Sequence, residues 1–176
     1  MTDRPTQIVV AETDRLVLRR FTPEDAGFVL RLLNEPSFIQ NIGDRGVRTI
    51  DDARAYILKG PIASYEKFGF GLWMVETRFE STPIGICGLL KRDVLADVDI
   101  GYALLPEFWS QGYALESASA VMSYANEKLG LKRVVAVTNS DNTSSIRLLE
   151  KMGFKYEQMV RLSEGADEIK LFAAVV

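Results

Sequence analysis

The segment between residues 98 and 138 constrains the fold more than any other part of this chain. Val98 to Leu105 and Arg133 to Thr138 have the β-branched and aromatic content of strands, and an amphipathic helix from Gly112 to Leu129 lies between them. Consecutive strands that are joined by a crossover helix run parallel and side by side in most proteins. The sequence therefore predicts a local parallel pair at the centre of the sheet.

The elements on either side of this unit predict that the rest of the sheet is antiparallel. Short turns join the strands before it, and a proline after a hydroxyl residue at Thr22 and Pro23 signals a helix start. We predict further strands over 16–21, 70–77, 83–91, 156–162 and 168–175, helices over 23–35, 50–67 and 143–152, and a loop over 37–48. The fold class is α+β in three layers, a mixed, mostly antiparallel twisted sheet of about seven strands with helices on both faces. One domain spans residues 1–176.

The composition excludes several classes of function. Histidine is absent and Cys87 is the single cysteine among 176 residues, which removes imidazole-based triads, disulfide frameworks and cysteine metal sites. We expect no metal. A net charge of −3 argues against direct nucleic-acid binding. No apolar run reaches the roughly 20 residues of a membrane helix and the N-terminus lacks a secretion signal, so we expect a cytoplasmic protein without a membrane partner.

A glycine separates the first central strand from the crossover helix, in the segment from Trp109 to Glu116. A backbone that turns into a helix at Gly112 presents N–H groups that have no acceptor inside the helix. Glycine lets a ligand approach without a Cβ in the way, and the helix dipole favours negative charge there. The segment therefore predicts a phosphate site. Taken alone, Gly112 is more often an ordinary turn residue.

A second helix, from Asn142 to Phe154, begins with short polar side chains and ends on a glycine. Asn142 is suited to cap the helix and Ser145 lies in its first turn, as in many helices without a ligand. Gly153 suits the left-handed position after the helix, where Phe154 can pack back on Leu149. The spacing of Asn142 and Ser145, together with the first motif, favours a ligand-binding role for both.

Both motifs resemble the acetyl-CoA-binding segments of the GNAT family of N-acetyltransferases, and most closely its RimJ/RimL branch, which acetylates protein N-termini. The resemblance extends from Glu12 to Phe154, and the segment from Asp99 to Trp109 is similar to the GNAT strand that pairs with the pantetheine arm. It implies acetyl-CoA as co-substrate. The main chain of Ala103 and Leu104 and the side chain of Asn142 would bind the pantetheine. The pyrophosphate would bind the segment made of Ser110, Gln111, Gly112, Tyr113, Ala114 and Leu115.

The resemblance also implies catalytic roles, with two departures from the common pattern. Trp109 stands where many GNAT proteins have Gln or Arg, and the RimJ/RimL branch often has an aromatic residue there. Leu149 stands where many have a tyrosine that protonates the departing thiolate, so Ser145 is the available hydroxyl. Asp99 is the candidate base, acting directly or through water, and a backbone N–H near Leu104 would meet the oxyanion. Asp99 could equally be a solvated or salt-bridged acid of the strand.

The implied function is acetyl-CoA-dependent transfer of an acetyl group to a primary amine by direct attack in a ternary complex. The acceptor that the resemblance favours is a protein or peptide N-terminal α-amine, with a ribosomal-protein N-terminus as one candidate, and the enzyme would be a monomer or a homodimer. Two alternatives stay open: a small-molecule amine such as an amino sugar, polyamine or amino acid, and a catalytically silent acyl-CoA-binding protein. The aromatic residues Phe70, Trp73 and Tyr102 either line the acceptor pocket or, more simply, pack on the sheet.

Overall fold

The computed structural model describes residues 7–176, and in that range the chain forms eight strands and six α-helices. The strands are β1 (Val9–Glu12), β2 (Leu16–Arg19), β3 (Leu72–Thr77), β4 (Pro83–Leu90), β5 (Asp99–Leu104), β6 (Arg133–Thr138), β7 (Lys155–Val160) and β8 (Ile169–Val175). The helices are α1 (Ala26–Leu33), α2 (Pro36–Asn41), α3 (Ile50–Ile57), α4 (Ala63–Phe68), α5 (Tyr113–Glu127) and α6 (Thr143–Lys151). A 3₁₀ turn, Pro23–Asp25, precedes α1, and another, Pro106–Phe108, precedes α5.

All eight strands belong to one sheet, in the order β1-β2-β3-β4-β5-β6-β8-β7. Every neighbouring pair is antiparallel except β5 and β6, which α5 connects. The predicted mixed, mostly antiparallel sheet with a central parallel pair is therefore confirmed. The additional strand is β1, which the sequence analysis did not predict. It has four residues, all at least partly exposed, and it lies at the sheet edge, so no buried alternating pattern marks it.

The parallel strands β5 and β6 stay together over a very short distance. Asp99 is opposite Val135, and the Val135 N–H donates to the Val98 carbonyl at 3.0 Å, but within residues 7–176 the two strands form no further pair. Residues 101–103 of β5 are half-exposed, whereas the middle of the adjacent strand β4 is buried. The two strands therefore separate beyond Asp99 and Val135. We call the resulting opening the cleft.

Helices cover both faces of the sheet and divide the core in two. On one face α5 and α6 pack on Trp73, Cys87 and Ile100, and Trp73 meets Tyr124 of α5 edge to face at 4.9 Å. On the other face α1 and α3 pack on Met74 and the strands around it. Packed helices therefore border the cleft on both faces of the sheet. Among the described residues, no helix has the length and apolar character needed to cross a membrane.

Two helical regions differ from the prediction. Helix α2 begins at Pro36 and occupies the first part of 37–48, which was expected to be a loop, because proline is well suited to the first position of a helix. The predicted helix over 50–67 is interrupted by a π-helical segment, Leu58–Ile62, that contains Gly60 and Pro61. Proline has no N–H to donate to the preceding turn, and a π-helical segment accommodates that loss.

The end of α6 matches the predicted glycine cap. The Phe154 N–H donates to the Leu149 carbonyl and the Gly153 N–H to the Glu150 carbonyl, both at 3.0 Å, with Gly153 at φ +84°. These are the two bonds of a Schellman motif. Leu149 and Phe154 are both buried, so this cap fixes α6 against the α5 side of the core.

Candidate active site

The turn that leads into α5 presents a row of backbone donors. None of the six N–H groups from Ser110 to Leu115 has a hydrogen-bond acceptor within residues 7–176, and the first bond of the helix is made by Glu116, which donates to Gly112. Ser110 has φ +58° and Gly112 has φ +83°, so the backbone curls around these groups. Such a concave set of N–H groups at a helix N-terminus binds anions, phosphates above all. We call residues 110–115 the phosphate cradle.

The β1–β2 turn supports the cradle from below. Thr13 Oγ1 donates to Glu116 Oε1 at 2.6 Å, and Arg15 contacts the same carboxylate through its backbone N–H at 3.1 Å and through Nη2 at 2.6 Å. Arg15 Nη1 also donates to the Gln111 carbonyl at 3.0 Å, and its guanidinium lies 4.5 Å from the centre of the Tyr113 ring. Burial acts to raise the pKa of Glu116, but these bonds outweigh it and lower that pKa. Glu116 is therefore a carboxylate at neutral pH.

The ladder between β4 and β5 decides which main-chain groups of β5 face the cleft. The Leu105 N–H donates to the Ile84 carbonyl, and antiparallel strands alternate between hydrogen-bonded and non-hydrogen-bonded pairs. Ala103, opposite Ile86, therefore uses its N–H and carbonyl on β4. Leu104 and Tyr102 turn theirs toward the cleft. The main-chain groups of Ala103 are thus engaged by β4, so of the two neighbours predicted to contact the pantetheine only Leu104 faces the cleft, together with Tyr102.

The indole of Trp109 occupies part of the same backbone edge. Its Nε1–H donates to the Leu104 carbonyl at 2.9 Å, while the ring remains about half exposed. Of the two Leu104 main-chain groups that face the cleft, the carbonyl is thus already bonded and the N–H is directed into the opening. That N–H is the one to which the sequence analysis assigned the oxyanion. Trp109 connects the end of β5 to the cradle.

Two hydroxyl groups meet where α6 begins. Tyr102 of β5 and Ser145 of α6 place their oxygen atoms, Oη and Oγ, 2.8 Å apart. Asn142 caps the helix, as predicted, because its Oδ1 accepts the Ser145 N–H at 3.2 Å. Its Nδ2 has no acceptor in the described part of the chain and is available to a ligand. Burial raises the pKa of Tyr102 to about 12, against the opposing effect of the bond to Ser145, so the phenol is protonated at neutral pH.

Asp99 lies at the closed end of the cleft and on the other face of β5. Side chains alternate along a strand, so Asp99 points away from the face that carries Tyr102. Its carboxylate is 1% exposed and accepts from Arg92 Nε at 3.2 and 3.0 Å. Burial raises the pKa of Asp99, and the Arg92 charge acts in the opposite direction. The structure therefore has the salt-bridged strand acid that was left open as the alternative for Asp99. The ion pair also leaves both Arg92 Nη atoms without an acceptor among residues 7–176.

The face of the cleft that carries Asp99 is bordered by α2 and α3. Asn139, just after β6, donates through Nδ2 to the Asn41 carbonyl at 3.2 Å, which holds the end of α2 against the end of β6. Burial raises the pKa of the Tyr56 phenol on α3, and the charges of Arg45 and Arg92 oppose that rise. Both guanidinium groups therefore lie close enough to influence Tyr56.

The remaining candidates are core residues. Phe70 is 8% and Trp73 is 1% exposed, which supports sheet packing for both. Cys87 is fully buried, and burial raises the pKa of its thiol to about 12, so it is not a thiolate. Within the described chain, no group of three or more histidine, cysteine or acidic side chains is positioned to hold a metal.

An elongated ligand with phosphates at one end fits this arrangement. The cradle offers N–H groups to a diphosphate, and the cleft beside it offers main-chain groups of β5 to an amide-containing arm. The hydroxyl pair and Asp99 approach the narrow end of the cleft from its two faces. This is the shape and polarity that acetyl-CoA requires.

Comparison with known proteins agrees with this geometry. Residues 15–155 match the model of the acetyltransferase (GNAT) domain. Two uncharacterised N-acetyltransferases of Bacillus subtilis are similar to the chain: YoaA is 36% identical over 86% of each protein, and YnaD is 30% identical over 82% of each. Among solved structures, RimL, a ribosomal α-N-protein acetyltransferase in complex with coenzyme A, has a TM-score of 0.82 at 17% identity, covering 96% of this chain and 98% of that one. The chain belongs to the GNAT family, and it is an acetyl-CoA-dependent N-acetyltransferase.

Three site residues were not found by sequence reasoning. Arg15 lay inside the segment that carries the resemblance, but nothing in the sequence links it to Glu116. Arg92 follows β4 in a polar turn and looks like any surface cation. Tyr102 was considered a packing or pocket residue, whereas its hydroxyl is bonded to Ser145. The one signal that could have singled out Tyr102 was its place on β5, where the main chain faces the opening between β5 and β6.

Proposed function

We propose that this enzyme acetylates the α-amine at the N-terminus of a protein or peptide. The observation that carries the proposal is the ion pair between Asp99 and Arg92 at the closed end of the cleft. A carboxylate that already accepts two bonds from a guanidinium is a poor partner for a second cation, although burial raises the pKa of Asp99 above that of an exposed aspartate.

The pKa of the acceptor explains why a weak base is sufficient. An α-amine has a pKa near 8, so about one tenth of it is neutral at pH 7, whereas the pKa of a lysine side chain is about 10.4 and fewer than about one in a thousand are neutral. An enzyme without a strong base is therefore better matched to α-amines. RimL, a ribosomal α-N-protein acetyltransferase, acts on an amine of this kind, and a ribosomal-protein N-terminus is a candidate acceptor.

In this proposal each residue has one role. The cradle and the Asn142 amide hold acetyl-CoA. The neutral amine attacks the thioester carbon from the Asp99 face, and Asp99 receives the amine proton through a water molecule. A main-chain N–H of β5 that faces the cleft donates to the oxyanion, and Ser145 faces the departing sulfur. Holding both substrates in the cleft supplies much of the rate enhancement through proximity.

The test is acetyl transfer from acetyl-CoA to matched peptides, followed by mass spectrometry. One set begins with Ala, Ser or Met and contains an internal lysine; the second set is identical except that its N-terminus is blocked. Spermidine, an amino sugar and free amino acids form a third set. We expect one acetyl group on the free N-terminus of the first set and none on the blocked set. Acetylation confined to the third set would replace this proposal with a small-molecule acceptor.

A further inference from the structure

Tyr102 and Ser145, whose hydroxyl groups meet, belong to elements that helix α5 and strand β6 separate in the chain. Tyr102 lies on β5 and Ser145 in the first turn of α6, and Tyr102 Oη is 2.8 Å from Ser145 Oγ. Tyr102 Oη is also 3.4 Å from the Ser145 carbonyl. In residues 7–176, Ser145 Oγ has no hydrogen-bond partner other than Tyr102. The pair lies beside the cleft, because Tyr102 is on β5 and α6 follows β6, the two strands that border the opening.

A serine hydroxyl alone is poorly suited to help a thiolate leave. A thiol has a pKa near 8.5, and an alcohol is a much weaker acid, so serine does not give its proton to a thiolate. It can instead donate a hydrogen bond to the sulfur as negative charge builds there. Such a bond is stronger when the serine oxygen itself accepts a bond from another donor, because hydrogen bonds in a chain polarise one another.

Tyr102 is able to act as that donor. Its phenol is protonated at neutral pH, because burial raises its pKa to about 12. Its proton has two acceptors nearby, Ser145 Oγ and the Ser145 carbonyl, and both belong to the same residue. When the phenol donates to Oγ, the serine proton has no acceptor in the described chain and is left for a ligand.

We propose that Tyr102 is a positioning residue for the transfer step: it donates to Ser145 Oγ and thereby directs the Ser145 hydroxyl proton to the sulfur of acetyl-CoA. The inference rests on the proposed role of Ser145. In many GNAT proteins a tyrosine at the position of Leu149 acts on the departing thiolate directly, whereas here Tyr102 acts on it through Ser145. Leu149 is buried and has no hydroxyl, so the donor reaches the site from β5 instead.

The bonds in this step balance without transfer of a proton from either hydroxyl. The amine nitrogen forms a bond to the thioester carbon, the C–S bond breaks, and its electron pair stays on sulfur. Ser145 donates to that sulfur and Tyr102 donates to Ser145, so the charge is stabilised where it develops. The amine proton leaves on the Asp99 face, and the released thiolate takes a proton from water.

The test is a double-mutant cycle of Y102F and S145A, with kcat and the KM for acetyl-CoA measured on the best peptide acceptor. We expect S145A to lower kcat by about a hundredfold and Y102F by about tenfold, with the KM for acetyl-CoA within about twofold of wild type. Y102F in the S145A background should cost almost nothing more. A purely structural role for Tyr102 would instead give additive losses.

Y124F is the matched control, because Tyr124 is a half-buried tyrosine of α5 whose ring packs on Trp73 and whose hydroxyl has no bond in the described chain. It should keep wild-type kcat. Folding of each variant is checked by Tm and by titration with CoA. If Y102F keeps wild-type kcat while S145A is slow, the inference is overturned and N-terminal acetylation stands. If Y102F does not fold, S145A still tests the bond, because wild-type kcat in S145A would overturn the inference as well.

Discussion

Arg15 and Glu116, 101 positions apart in the chain, form an ion pair of 2.6 Å beneath the phosphate cradle. Arg15 also donates to the Gln111 carbonyl, so one guanidinium both neutralises the acid in the first turn of α5 and holds the cradle backbone. An uncompensated carboxylate beside a diphosphate would repel it. The pair therefore lets Glu116 anchor α5 to the β1–β2 turn without weakening the anion site.

This relationship predicts an asymmetry between the two partners. R15Q should raise the KM for acetyl-CoA by about fivefold to tenfold, the loss expected for one hydrogen bond plus an exposed repulsive charge, with kcat at saturation unchanged. E116Q should raise it less, because the remaining cation still favours the phosphates. R54Q, which removes an exposed pair with Asp51, is the control. Equal effects of R15Q and E116Q would contradict the charge argument.

The same pair predicts how the stability of the fold depends on pH. The pKa of Glu116 is lowered in the folded protein, so its contribution to stability is complete above the unfolded value of about 4.3 and is lost as pH falls through the lower folded value. We therefore expect the Tm difference between wild type and E116Q to be constant from pH 8 to 5.5 and to shrink below about pH 4.3. Thermal unfolding across that range is the measurement. A difference that grows with acid would have the wrong sign.

Gly112 offers a test of the cradle itself. Its φ is +83°, and a Cβ there would lie 3.2 Å from Arg15 Nη2. G112V should therefore raise the Kd for CoA by more than about tenfold, because valine is strained at this φ and its side chain displaces Arg15, which holds the cradle backbone. G130A is the matched control, since Gly130 has φ +64° at the other end of α5, with open space around it. It should lower stability by about 1–2 kcal/mol and leave the Kd unchanged. Isothermal titration with CoA separates the two outcomes.

The Asn142 side chain both caps α6 and offers a donor to a ligand, and the substitution N142D separates these two functions. N142D keeps an oxygen for the Ser145 N–H and adds a negative charge at a helix N-terminus, so Tm should be retained or increased. It removes the Nδ2 donor, so the Kd for CoA should rise about fivefold or more. N142A loses both functions and should also cost about 1 kcal/mol of stability. If N142D binds CoA as well as wild type does, the amide does not contact the pantetheine.

The role of Asp99 is tested by measuring how the effect of D99N on kcat/KM depends on pH. D99N should lower kcat/KM on a free N-terminal peptide by about tenfold at pH 7 and by much less at pH 9, because the α-amine is then neutral without a base. D97N, which changes a half-exposed acid paired with Arg133, is the control and should match wild type at both pH values. A loss of the same size at pH 7 and pH 9 would assign Asp99 to the structure of the cleft rather than to proton transfer.

The patterns with local causes were predicted well. The boundaries of β6 match, the Schellman cap at Gly153 has its two expected bonds, and the strand–helix–strand unit produced the parallel pair. Each of these depends on residues near one another in the chain. The errors have the same origin: Pro36 was interpreted as a helix end although it begins α2, and β1 is too short and too exposed to carry a pattern.

The sequence by itself determined the fold class, the location of the cradle and the capped start of α6, because turn chemistry, helix caps and hydrophobic periodicity act over a few residues. Only the tertiary structure decided which partners meet. The parity of the β4–β5 ladder turned Tyr102 rather than Ala103 toward the cleft, and packing across the sheet brought Tyr102 to Ser145 and Arg15 to Glu116. Side chains that are tens of residues apart interact only after the core has fixed their backbones, and no local pattern records that geometry.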